Sequence, residues 1–155
     1  MSFQIRALPF EPFAPLFALA DAELRPHRAV RQVVDRTPGF PCRVSLRDAE
    51  VGETVLLVHH EHQNADTPYQ SGHAIYVRAG AVEARPALGE VPEVLRRRLL
   101  SVRAFDADGM MVDADVVDGQ ALEPVIARLF GDARVAYLHL HNAKPGCYAA
   151  RVDRS

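Results

Sequence analysis

Apolar positions along this chain recur at a period of two more often than at a helical period. In "AYLHLHNAKPGCYAARV", residues 136–152, Leu138 and Leu140 alternate with Tyr137, His139 and His141. A strand here turns its leucines to a core and its imidazoles to the opposite face. "ETVLLVHHEHQ" begins with four consecutive apolar residues, 55–58, and then turns abruptly polar. The apolar run is that of a strand covered on both faces, and the switch marks where it leaves the interior for a rim, a place where sheets hold ligands. "RAVRQVVD" and "HAIYVR" read as further strands, and "LLSVRAFDADGMMVDADVV" as a hairpin turning at Asp108-Gly109. "CYAARVDR" is the last strand, joined to its predecessor through "NAKPG".

Helical spacing is confined to a few short stretches. "FEPFAPLFALADAELR" sets Phe13, Leu16, Phe17 and Leu24 on one face after opening prolines, which predicts one or two short helices. A short helix is expected from Pro92 to Arg97. "DGQALEPVIARLF" offers Asp118 as N-cap, Leu122, Val125, Ile126 and Leu129 on one face, and Pro124 within the tolerant first turns. "RTPGFPCR", "NADTPYQSG" and "ARPALGEVP" are loops by their Pro and Gly content. Hairpins outnumber βαβ units. The expectation is an α+β fold, a single globular domain over residues 1–155, with a largely antiparallel or mixed β-sheet and a few helices packed on one side.

Composition narrows the function more by exclusion than by assertion. A chain of 155 residues can bury a core without metals or disulfides. Its formal charge of −2 offers no general attraction for nucleic acid or an anionic membrane, so neither is expected as a partner. Lys144 is the only lysine among 18 basic residues, a bias that codon composition explains before phosphate recognition does. No run approaches the roughly 20 apolar residues of a membrane span, and "PFEPFAPLFALADA" carries Glu11 and three prolines without a basic start, unlike a signal peptide. A cytoplasmic address is expected, and with it free thiols at Cys42 and Cys147; a bridge between them requires their loops to meet.

Side-chain chemistry collects at strand ends. Residues two apart on a strand are about 6.6 Å apart at the backbone, so His139 and His141 can converge on one ion, as can His60 and His62, which share a face opposite His59 and Glu61. His73, Cys42 and Cys147 are further nitrogen and sulfur donors, but no H-E-x-x-H or paired C-x-x-C spacing selects among them. The competing reading is of strand-end imidazoles bonded to backbone or water, and it is preferred for His27 and His59. Both cysteines follow turn residues, in "PGFPC" and "KPGC". Each is either a nucleophile served by a histidine base or a small apolar side chain filling a tight corner. "FDADGMMVDADVVDG" lacks the spacing of a calcium loop and reads as a solvated acidic hairpin. The three arginines 96–98 cannot all face one partner.

"PGFPCRVSLRDAEVGE", "EHQNADTPY" with "IYVR", "RAFDADGMMVDADVVDG" and "HNAKPGCYAARVD" together resemble the bacterial domain-of-unknown-function family numbered 1203, over almost the whole chain. The resemblance implies a small bacterial protein and no particular activity. Its motifs match at Cys42, Arg43, His62, Gln63, Tyr69, Arg78, His141, Asn142, Gly146 and Cys147, and leave His59, His60 and His139 outside. It thereby favours a mixed pocket over a double His-x-His metal site.

Three functions follow as alternatives. The first is a pocket for a small polar or anionic ligand, with Arg43 gripping a carboxylate or phosphate, His62 or His141 as acid or base, and Tyr69 as donor. Asn142 orients the ligand, Cys147 is wall or nucleophile, Cys42, Gln63 and Arg78 complete the lining, and no cofactor is called for. The second is a zinc site built from His60, His62, His139 and His141. The third is a non-enzymatic module that forms a homodimer through an exposed strand edge. No reaction type follows from the sequence.

Overall fold

The computed structural model describes residues 2–155. In chain order its elements are β1 (Phe3–Arg6), α1 (Asp21–Leu24), β2 (Ala29–Val33), β3 (Pro41–Cys42), β4 (Arg47–Asp48), β5 (Thr54–Gln63), β6 (Ser71–Arg78), α2 (Glu93–Arg96), β7 (Leu99–Phe105), β8 (Met111–Asp118), α3 (Leu122–Phe130), β9 (Tyr137–Asn142) and β10 (Tyr148–Arg154). Single 3-10 turns lie at Ala14–Ala18, Arg25–His27 and Gly119–Ala121. The fold is α+β. Its strands divide between two five-stranded sheets, ordered β1-β10-β9-β7-β8 and β2-β5-β6-β3-β4, with β3 and β6 running parallel.

The chain packs as two compact units. The first comprises the residues up to Arg6, Glu61–His73 and Arg85–Ser155, and the second Ala7–His60 and Ala74–Ala84. The first unit contains the sheet β1-β10-β9-β7-β8, and the register of that sheet sorts its side chains. Leu138, Leu140, Leu100, Val102, Ala104 and Val152 share one face and have no exposed surface. Each leucine so buried contributes about 2 kcal/mol to folding. Helix α3 covers this same face, because its Arg128 reaches Asp115 at 2.6 Å and Asp113 at 3.4 Å, and both aspartates are in register with the apolar residues Val102 and Ala104. The helix buries Leu122, Ile126, Leu129 and Phe130, the last of these in addition to the expected stripe.

The helix start differs in detail from the sequence expectation. Asp118 does cap, accepting from the Gln120 amide at 2.9 Å, but it caps a 3-10 turn, Gly119–Ala121, that precedes the α-helix. Gly119 is required by close approach, since a Cβ there would lie 1.9 Å from the Leu95 carbonyl oxygen. Strand β1 has no signal in the sequence: four residues are too few to show alternation, and Ile5 is held by pairing with Val152 of β10.

The second unit is organised around Val34, Phe40, Ala49 and Val55, with Tyr76 against them. Within "RTPGFPCR", Pro41 and Cys42 pair with β4 and β6 as a two-residue strand.

Candidate functional site

The face of the first unit's sheet turned away from the leucines is polar and aromatic. Register places Ser101, Arg103 and Phe105 of β7 opposite His141, His139 and Tyr137 of β9. On the other side of β9, Tyr148 and Arg151 of β10 lie opposite His141 and His139, with a bulge between Tyr148 and Ala150. The last residues of β5 belong to this unit and deliver His62. One ligating nitrogen from each of His62, His139 and His141 lies within 4.8 Å of the others, and of the three rings His62 is the more exposed. The His62 ring sits edge-on to His141 at 4.7 Å between centroids and stacks flat on Tyr148 at 5.5 Å. Tyr148 in turn presents to His139 and His141 edge-on, so one aromatic ring supports all three imidazoles.

A local turn orients His141. Its Nδ1 is 3.0 Å from the Gly146 carbonyl oxygen, and because a carbonyl only accepts, Nδ1 carries the proton and donates. Gly146 takes φ 81°, the left-handed region that favours glycine, and the turn closes with its amide donating to the Asn142 carbonyl at 2.8 Å. The consequence is a lone pair on Nε2 of His141, which is buried and has no hydrogen-bond partner; Nδ1 of His139 is likewise buried without a partner. Burial, above all, pushes the pKa of His139 down to about 3, helped by His141, His62, Arg151 and Arg103. Burial likewise brings His141 down to about 3 against the opposing pull of its bond to Gly146, with Arg103, His62 and His73 adding to the depression. Both rings are therefore neutral at pH 7, the form in which imidazole binds metals.

This geometry suits a borderline divalent ion. Tetrahedral zinc at its usual bond length holds two nitrogens about 3.3 Å apart, which small side-chain rotations reach from the observed spacing. Three protein nitrogens leave a fourth position open to water or substrate, the arrangement of catalytic rather than structural zinc. A hydrogen bond from the far nitrogen of a ligating histidine to a carbonyl, as His141 makes to Gly146, is the usual means of holding ring and tautomer.

The other expected site residues fall in several places. Gln63 is on the site side, its Nε2 donating to the Tyr137 hydroxyl at 2.9 Å. Tyr69 reaches it through Phe105, ring to ring at 6.2 Å. Asn142 follows His141 and so belongs by register with Leu100 on the leucine face, where its Nδ2 donates to Cys147 Sγ at 3.7 Å and its Oδ1 is buried without a partner. Both cysteines are buried, and no disulfide joins them. Cys42, Arg43 and Arg78 belong to the second unit. There Cys42 Sγ accepts from the Arg78 and Ser45 amides, Arg43 is buried and donates to the Pro41 carbonyl, and Arg78 pairs with Glu53 at 2.6 Å. His60 is also in the second unit, beside Phe13 at 6.1 Å.

Arg103 and Tyr148 were missed by sequence reasoning, and Tyr137 was placed on the histidine face without a role in the site. For Arg103 a signal existed: "SVRAF" alternates polar or aromatic positions with small apolar ones, as "YLHLH" does. The acidic hairpin is structural, with Asp106 Oδ1 accepting from the Asp108 and Met110 amides. The arginine run is dispersed, since Arg96 binds Glu123 at 2.5 Å while Arg98 donates to the Val94 carbonyl.

The family described as protein of unknown function (DUF1203) matches residues 39–154, which takes in every strand of the candidate site. The chain belongs to the DUF1203 family. No curated protein and no solved structure matches it. Among the described residues of this DUF1203 chain, no helix is long and apolar enough to cross a membrane.

Proposed function

We propose that this DUF1203 protein binds one zinc-class divalent ion through His62, His139 and His141 and uses the open coordination position for a water molecule or a substrate. The observation that carries the reading is the meeting of three ligating nitrogens within 4.8 Å. Two supports are independent of it: buried ring nitrogens on His139 and His141 without partners, and a carbonyl that holds His141 in its ligating tautomer. An imidazole-only ligand set is neutral, so the ion keeps its full charge, and an ion of that charge acidifies bound water and polarises a carbonyl or phosphoryl oxygen. Of the four histidines weighed as an alternative from sequence, three meet and supply the proposed ligands, and His60 belongs to the second unit.

Metal analysis of protein purified without an affinity tag tests this. About one equivalent of zinc, or uptake of one equivalent after dialysis, is expected, together with a rise in melting temperature on adding zinc that His139→Ala and His141→Ala abolish. Less than about a tenth of an equivalent with no thermal response in the wild type refutes the reading.

A further inference from the structure

Arg103 lies directly across from His139 on the neighbouring strand, a position where side-chain roots are about 5 Å apart. It is partly buried, and its one hydrogen bond is from Nε to Ser101 Oγ at 3.3 Å. It pairs with no carboxylate among the described residues, whereas the arginines at 96, 128 and 134 each do. Ser101 itself lies across from His141, so the serine and arginine of β7 run alongside both histidines of β9. A guanidinium carries its donors in a planar fork; with Nε engaged by Ser101, the two terminal nitrogens remain for a ligand.

We infer that Arg103 is the anion-recognition residue of the histidine site and that the natural ligand is a small molecule bearing a carboxylate or phosphate group, bound between the metal ion and the guanidinium. The inference rests on the metal reading above and deepens it by assigning the ligand class. The physical reason is charge. An ion held by three neutral imidazoles keeps a charge of about +2, and Arg103 adds a further positive charge on the same face, with no acidic side chain among the ligands to offset either. An oxyanion placed between them satisfies both, one oxygen entering the open coordination position and another accepting from the fork. Ser101 acts as a positioning residue, holding Nε so that the fork keeps its direction.

The test uses the full-length protein loaded with cobalt(II), whose visible absorption reports changes at the coordination sphere, and the probes are inorganic phosphate and acetate. In the wild type at least one probe should shift the spectrum saturably, and sodium chloride at equal ionic strength should not. Arg103→Met should take up the same one equivalent of cobalt yet bind that probe roughly tenfold or more weakly, and Arg103→Lys, which keeps the charge without the fork, should recover only part of the loss. The relative response to phosphate and acetate identifies which group the site takes. Near-UV circular dichroism establishes that each variant is folded, and the lysine variant carries the comparison if the methionine variant is not. Cobalt uptake with no saturable response to either probe overturns the inference and leaves the metal reading standing, as does a response undiminished in Arg103→Met. Failure of the wild type to take up cobalt overturns both.

Discussion

Acidifying the metal-free protein should weaken it through His139 and His141. The two residues are 4% and 1% exposed, and burial pushes the pKa of each down to about 3. In the unfolded chain the same rings titrate at about 6.5. Between these values the unfolded state takes up protons that the native state refuses, so the contribution to stability is fully present above about pH 6.5 and is lost as the pH falls towards 3. The His141 ring also suppresses protonation of His139, and the His62 ring that of both, which keeps the pair neutral in the native state throughout the upper part of that window. From pH 7.0 to 5.5 the loss is about 1.2 kcal/mol per ring and about 2.5 kcal/mol for the pair. With a denaturant slope of about 2 kcal/mol per molar, the urea midpoint drops by about 1 M. Urea unfolding in the presence of a chelator, at both pH values, measures this for the wild type and for His139→Gln/His141→Gln. The double variant keeps every other titrating group, so the difference between the two midpoint shifts isolates the pair. Equal shifts in the two proteins would refute the argument. So would an imidazole proton resonance of either ring that titrates near 6.5 in the folded state.

Other substitutions probe the frame that holds the site. Leu140→Ala, at a position with no exposed surface between the two histidines, should cost about 3 kcal/mol in urea unfolding through the cavity it leaves. Gly119→Ala should cost more than about 2 kcal/mol by the same measurement, because the added carbon meets the Leu95 carbonyl oxygen and the Arg96 Cα, neither of which can move without separating α2 from the turn before α3. Tyr137→Phe removes the partner of Gln63, which is 4% exposed, and should cost about 1 kcal/mol. A loss indistinguishable from zero there would mean that Gln63 finds water instead.

Much of the frame was legible before any coordinates. Alternation in "YLHLH" assigned Leu138 and Leu140 to the core and Tyr137, His139 and His141 to the opposite face, and the register of β9 agrees residue by residue. The break from VLLV to HHEH correctly marked where β5 changes surroundings, its apolar residues mostly buried and Glu61 exposed. Period and parity are local properties, so the sequence by itself determined the longer strands and which way their side chains face, while the short β1, β3 and β4 carried no such signal. It could not decide partnership. His139 and His141 needed a third donor, and one strand, β5, offered two histidines of equal chemical merit, at 60 and 62; only tertiary packing brought His62 to the pair and left His60 with Phe13 in the second unit. The same limit applied to Cys42 and Arg43, which motif and charge had grouped with the site and which belong to the second unit, and to Asn142, which lies on the leucine face. Contacts between residues distant in the chain depend on which surfaces pack together to exclude water, and that is a property of the whole molecule that no short stretch encodes.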